Sequence, residues 1–132
     1  MENLNDVTFD FPDMKIVIEH IGYPFSEYLF TMMVNDENLW TDLAMLYKRP
    51  LWMTWNMVLA KELGVGRVIF ASDFVASNND LFSENPTKDL LEWIDLVQNG
   101  MNKICKQSGW PTFTEKEING ILHDNAARLY NL

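Results

Sequence analysis

One cysteine, Cys105, is all that the chain carries. That excludes an internal disulfide framework and any metal site built from several thiolates. Basic residues are scarce as well: ten Lys and Arg stand against nineteen Asp and Glu, for a formal charge of -9. Such a balance repels phosphate backbones, so no nucleic-acid partner is expected. Long apolar runs are missing. The nearest, Leu51 to Ala60, is about half a membrane span and is interrupted by Thr54 and Asn56, so no membrane partner is expected either. The first residues, MENLNDVTFDF, have neither the basic start nor the apolar core of a signal peptide, which favours a cytoplasmic location. What is there is a 132-residue chain, 48% hydrophobic and 13% aromatic. It is long and apolar enough for one domain with a real core.

The charge is uneven. Residues 1–42 hold nine acids and only Lys15, whereas residues 43–70 hold four bases and only Glu62. A solvated face is the ordinary reading of an acidic run, and a surface kept for a partner is the other.

The chain has no internal repeat and no Ser/Gly linker. Met14 to Glu19 (MKIVIE) is a short β-branched run that reads as a buried strand, ended by Gly22 and Pro24. Tyr28, Leu29, Met32 and Met33 recur at helical spacing. Leu39 to Leu43 (LWTDL) alternates like a short strand. Pro50 suits the first position of a helix running to Leu63, with Gly64 as its C-terminal cap. That helix is apolar on almost every side, as expected for burial on several faces or contact with another subunit. Arg67 to Ala71 (RVIFA) is strand-like. A loop with Ser77, Asn78, Asn79 and Asp80 then leads to a long helix from Thr87 to Gln107. Gly109 and Pro111 break the chain, Thr114 and Glu117 fit a capping box, and residues 125–132 read as a closing helical turn or two.

No two strands are joined by a tight hairpin, so the strands need helical crossovers and should be parallel. The expected fold class is α/β, with an open sheet or part of a barrel. In both, ligands gather beyond the carboxyl ends of the strands. His20 follows the first strand and Asp73 the third. Alone, each is weak: a strand-end His is more often a structural hydrogen-bond group, and such an Asp often caps a turn. Together at one edge they could give an imidazole and a carboxylate to metal-assisted hydrolysis, in which a carboxylate takes the proton of a bound water. A catalytic zinc takes three protein ligands, so two groups do not suffice. His123, beside Asp124, is expected to be exposed or capping. Cys105 reads as a small apolar residue on a packed face. There is no GxSxG, P-loop or GxGxxG, and Gly64-Val65-Gly66 precedes a strand, the wrong side for a phosphate cradle.

Four blocks, KIVIEHIGYPF, NLWTDLAML, GVGRVIFASDF and EINGILHDNAARLYNL, together resemble the C-terminal part of metal-dependent amidohydrolases. The branch they are most similar to includes aminocarboxymuconate-semialdehyde decarboxylase and related lactone or amide hydrolases. The resemblance runs from Lys15 to near the chain end. It implies the last three parallel strands and closing helices of a (β/α)8 TIM barrel. It also implies a small-molecule substrate and a divalent metal, zinc first. By it, His20 matches a sixth-strand histidine that assists proton transfer, and Asp73 an eighth-strand metal ligand and proton acceptor. Asn125 matches a structural position. Ala71 and Val75 depart from the Gly and Pro usual around that aspartate.

A full barrel of this kind takes about 250 residues. The family's His-x-His pair and fifth-strand histidine have no counterpart among His20 and His123, so most of the metal site would lie upstream of Met1. The expectation is therefore an amidohydrolase-like portion, by ancestry a hydrolase or decarboxylase, inactive alone. The competing readings are a non-catalytic α/β fragment acting through self-association or partner binding, and an unrelated doubly wound sheet with a small ligand. A barrel cut open exposes two sheet edges, and with the apolar helix this predicts a homo-oligomer.

Overall fold

Ile16–Ile18 (β1), Leu39–Asp42 (β2) and Val68–Ile69 (β3) form a parallel sheet in the order β1-β2-β3 in this computed structural model. The structure describes residues 2–73 and 85–132. Val75 and the loop of Ser77, Asn78, Asn79 and Asp80 lie outside the described residues. Ile18 pairs with Thr41, and Thr41 with Val68, so the carboxyl ends of the strands share one edge. The expected α/β class and partial-barrel arrangement hold. Each strand is shorter than its apolar run. In β2 all four residues are buried; the alternation read from LWTDL fails because a parallel sheet is covered on both faces.

The crossovers are helical. Glu2–Asp10 (α1) precedes β1, Ser26–Asn35 (α2) joins β1 to β2, and Pro50–Glu62 (α3) joins β2 to β3. Pro50 starts α3, and Gly64, at φ +71°, ends it by donating its amide to Lys61 O at 3.0 Å. Only glycine adopts that backbone without cost. The expected long helix is Pro86–Asp95 (α4) and Met101–Ser108 (α5), joined by a π-helical turn at Leu96–Gly100. Glu115–Asn119 (α6) begins with the predicted capping box of Thr114 and Glu117. A second π turn, Gly120–Asp124, leads into Asn125–Tyr130 (α7).

Leu29, Phe30, Met33, Leu39, Met53, Met57, Val68, Trp93 and Val97 belong to the main core cluster. Val17, Trp40 and Ile69 form a separate cluster with Leu129 and Ala126 of α7. Because side chains alternate along a strand, these three share the opposite sheet face, and α7 covers it. Arg67 ties the start of the sheet to α2: its guanidinium donates to Leu39 O at 2.9 Å, to Asp36 O at 3.0 Å and to Met33 O.

Helix α3 buries Met53, Thr54, Asn56, Met57, Val58 and Ala60 over a wide arc. Its polar Thr54 and Asn56 are buried, while Leu51 is 65% and Trp55 45% exposed. Asn56 tolerates burial by donating to Trp52 O at 2.8 Å within its own helix.

The edges of the sheet also differ from expectation, because one of the two is closed. Toward β2, Arg67 O and Ile69 O accept from Thr41 N and Leu43 N. The alternate groups of β3 face away, and the C-terminal segment meets them. Asn125 Nδ2 donates to both Gly66 O and Val68 O at 2.8 Å, and Phe70 N donates to Ile121 O at 2.8 Å. The structural role implied for Asn125 is therefore met by a specific pair of bonds. Among the described residues, only the outer edge of β1 remains without a strand or such a cap.

Candidate functional site at the carboxyl edge

Each strand ends in a loop that carries a left-handed, non-glycine residue. After β1 come His20 at φ 57° and Ile21 at φ 52°, after β2 comes Met45 at φ 59°, and after β3 comes Asp73 at φ 51°. Such a backbone costs roughly 1–2 kcal/mol per residue for L side chains, and residues held this way cluster at functional sites.

The three loops are stitched side by side. Oδ1 of Asp42, on a largely buried side chain at the end of β2, accepts from His20 N at 2.9 Å and from Ala44 N at 3.0 Å. Met45 N donates to Ser72 O at 3.4 Å, linking the second loop to the third. Behind Asp73, Trp93 Nε1 donates to Ala71 O at 3.1 Å. The His20-to-Asp73 edge is thus braced through β2.

The His20 imidazole has a defined polarity. Its Nδ1 lies 3.2 Å from Ala44 O, and a carbonyl can only accept. A neutral ring that donates to this carbonyl carries its proton on Nδ1 and leaves Nε2 with its lone pair. Nε2 lies 3.7 Å from Glu19 Oε2 on a side chain 30% exposed. It can accept a proton or act as a ligand, and a protonated ring would meet a carboxylate. Asp73, the last described residue after β3, is exposed.

Both expected residues thus stand beyond the same sheet edge, but no hydrogen bond or ion pair joins them directly. Asp42 was not singled out by sequence. Its signal is a carboxylate closing an otherwise apolar strand, one strand over from His20. His123 is exposed and held by Asp124 at 2.8 Å, as expected. Cys105 is fully buried, as expected of a packed apolar residue, and burial pushes its thiol pKa up.

These features define a parallel α/β sheet, part of a TIM-barrel arrangement, whose polar groups converge at the carboxyl edge. The chain belongs to the amidohydrolase family: the family model described as Amidohydrolase matches residues 1–132. No curated protein and no solved structure matches the chain. The family generally uses divalent metals. Among the described residues no three His, Cys, Asp or Glu side chains gather to hold one. Two strand-end donors do not fit a complete catalytic site of three protein ligands. No helix among the described residues is long and apolar enough to cross a membrane.

Proposed function

We propose that the chain supplies the last three βα units of a metal-dependent hydrolase or decarboxylase, in the branch typified by aminocarboxymuconate-semialdehyde decarboxylase. It acts on a small molecule in the cytoplasm and has no turnover alone. The observation that carries this is the row of three strand-end loops, each with a left-handed non-glycine residue, braced around a His20 whose Nδ1 faces the Ala44 carbonyl and whose Nε2 lies 3.7 Å from Glu19 Oε2. Residues held in such backbone conformations cluster at functional sites, which supports this reading. In this reading Nε2 of His20 receives or returns a proton at the substrate, and the Asp73 carboxylate takes a proton from water. Asp73 also provides one ligand to a divalent ion, zinc first, whose other ligands come from elsewhere in a complete barrel. Asp42 and Ala44 position His20.

The test is an assay of the chain on ester, lactone and amide panels with added zinc or manganese. No turnover is expected. Metal-dependent turnover abolished by Asp73→Asn would show that two donors suffice and would overturn the inactive-alone reading.

A second reading, homo-oligomerisation or partner binding, is supported by the exposed apolar side chains Phe9, Phe11, Leu51 and Trp55, and by the uncapped β1 edge. Surfaces of this kind are more often contacts than solvated faces. Light scattering discriminates: a monomer at tens of micromolar (about the range where such association shows) counts against it.

A further inference from the structure

At the amino edge of the sheet, opposite His20 and Asp73, lies a groove of about 470 Å³. Its floor is apolar and buried: Met57, Val65, Val68, Phe113 and Ile121. Its volume falls within the roughly 300–1,000 Å³ of small-molecule sites. Among the described residues the lining comes from α3, residues 65–68 at the start of β3, Phe113 and the α6–α7 segment, and none of it from β1.

The rim reverses the charge of the chain. Lys61, Lys116 and Arg128 line it in a protein whose formal charge is -9. Two carboxylates share the rim: Glu117 accepts from Lys61 Nζ at 2.5 Å, and Asp124 Oδ1 lies 2.8 Å from His123 Nδ1, so three cations meet two anions there. Lys116 and Arg128 have no ion-pair partner among the described residues. Arg128 stacks on Trp40, 5.0 Å from the ring centroid, and its Nη2 donates to Asn125 Oδ1 at 3.4 Å. Its guanidinium is therefore oriented but not neutralised. Gly66 opens the floor, since a Cβ there would meet no atom within 4 Å.

From these features we infer that the groove is a binding site for a small amphipathic anion: an apolar body on the Val65, Phe113 and Ile121 floor, and one anionic head between Lys116 and Arg128. An apolar floor without cations would take a neutral molecule, and cations without the floor would take a bare ion. The pairing selects for both properties at once. Because Ile121 and Asn125 also cap β3, an occupant would tighten that cap.

Titration of the ¹⁵N-labelled chain with decanoate, with acetate and a neutral decyl ether as controls, tests this. Amide shifts at Gly66, Lys116 and Gly120 are expected with decanoate at concentrations where neither control moves them. Lys116→Gln and Arg128→Gln should each weaken binding about tenfold, the share of one charge-assisted contact. Gly66→Leu, which fills open space without a backbone clash, should abolish binding while the urea midpoint stays put. Shifts confined to the exposed aromatic surface around Trp55, equal shifts with the neutral ether, or no shifts would overturn the proposal.

Discussion

The amide of His20 donates to the Asp42 carboxylate across 22 residues of sequence, and the Ala44 amide shares the same oxygen. A single charged acceptor therefore sets the height at which both loops leave the sheet. Through Ala44 O it also sets the angle of the imidazole.

Asp42→Ala leaves two amides without their charged acceptor, and hydrogen bonds to charged groups contribute about 1.5–3 kcal/mol each. Urea unfolding should show a loss of roughly 2–4 kcal/mol, below full additivity because water replaces part of the contact. Asp42→Asn keeps an acceptor and should lose about 1 kcal/mol. Equal losses in the two variants would show that shape, not the charge, matters at this position.

The Ala44 carbonyl makes a spectroscopic prediction. Neutral His20 should carry its proton on Nδ1, readable from long-range ¹H–¹⁵N couplings of the ring. Dominance of the Nε2–H tautomer would mean that Nδ1 is not donating, and would remove Nε2 as a proton acceptor.

Asn125 is one side chain holding two carbonyls of an edge strand. Asn125→Leu should cost about 1 kcal/mol, because water can replace the bond to the exposed Gly66 O and the bond to Val68 O is only part-buried. It should also speed hydrogen exchange at Phe70, whose amide relies on the adjacent Ile121 carbonyl. Exposing that strand edge should make the variant more prone to associate, measured by light scattering. Unchanged exchange at Phe70 would show that the cap does not depend on Asn125.

Cys105 is fully buried, and burial disfavours its thiolate, a bias that the Lys61 charge does not reverse. A thiol-specific disulfide reagent should not react with the native chain and should titrate one thiol in denaturing urea. Rapid native reaction would place α5 on the surface.

Several of these features were legible beforehand because they are local. The β-branched runs, Pro50, Gly64, Gly109 and the Thr114–Glu117 box each carry their meaning within a few residues. The edge holding His20 and Asp73 followed from strand order alone. What was hidden is non-local. Asp42 looks like one polar residue in a strand until the register sets it beside His20. The cap on β3 joins residues 59 and 57 apart. Helix α1 is mainly polar, with Leu4 packing on the core, so its pattern is faint. Which side chains of α3 the neighbouring helices cover was also hidden, because composition reports how many residues are apolar and not which ones are buried.

The Lys61–Glu117 pair links α3 to α6 and predicts a pH dependence. Burial by itself would raise the Glu117 pKa, but hydrogen bonds from Lys61 Nζ and from the Thr114 amide and hydroxyl, with the Lys61 charge, bring it below the ordinary value. The folded state therefore favours the ionised carboxyl, and the unfolded chain binds the proton more readily. Stability from this group is present above the ordinary Glu pKa of about 4.3 and is lost as pH falls through the lower folded value. Glu117→Gln should thus be less stable than the parent at neutral pH in urea unfolding. The gap should narrow progressively as pH falls below the ordinary Glu value and through the lower folded one. Added salt should narrow it as well, because the pair is partly exposed and screened. A gap that narrows with acid but not with salt would mean that Glu117 contributes through its Thr114 capping bonds rather than through the Lys61 charge, and a gap independent of both would overturn the lowered pKa.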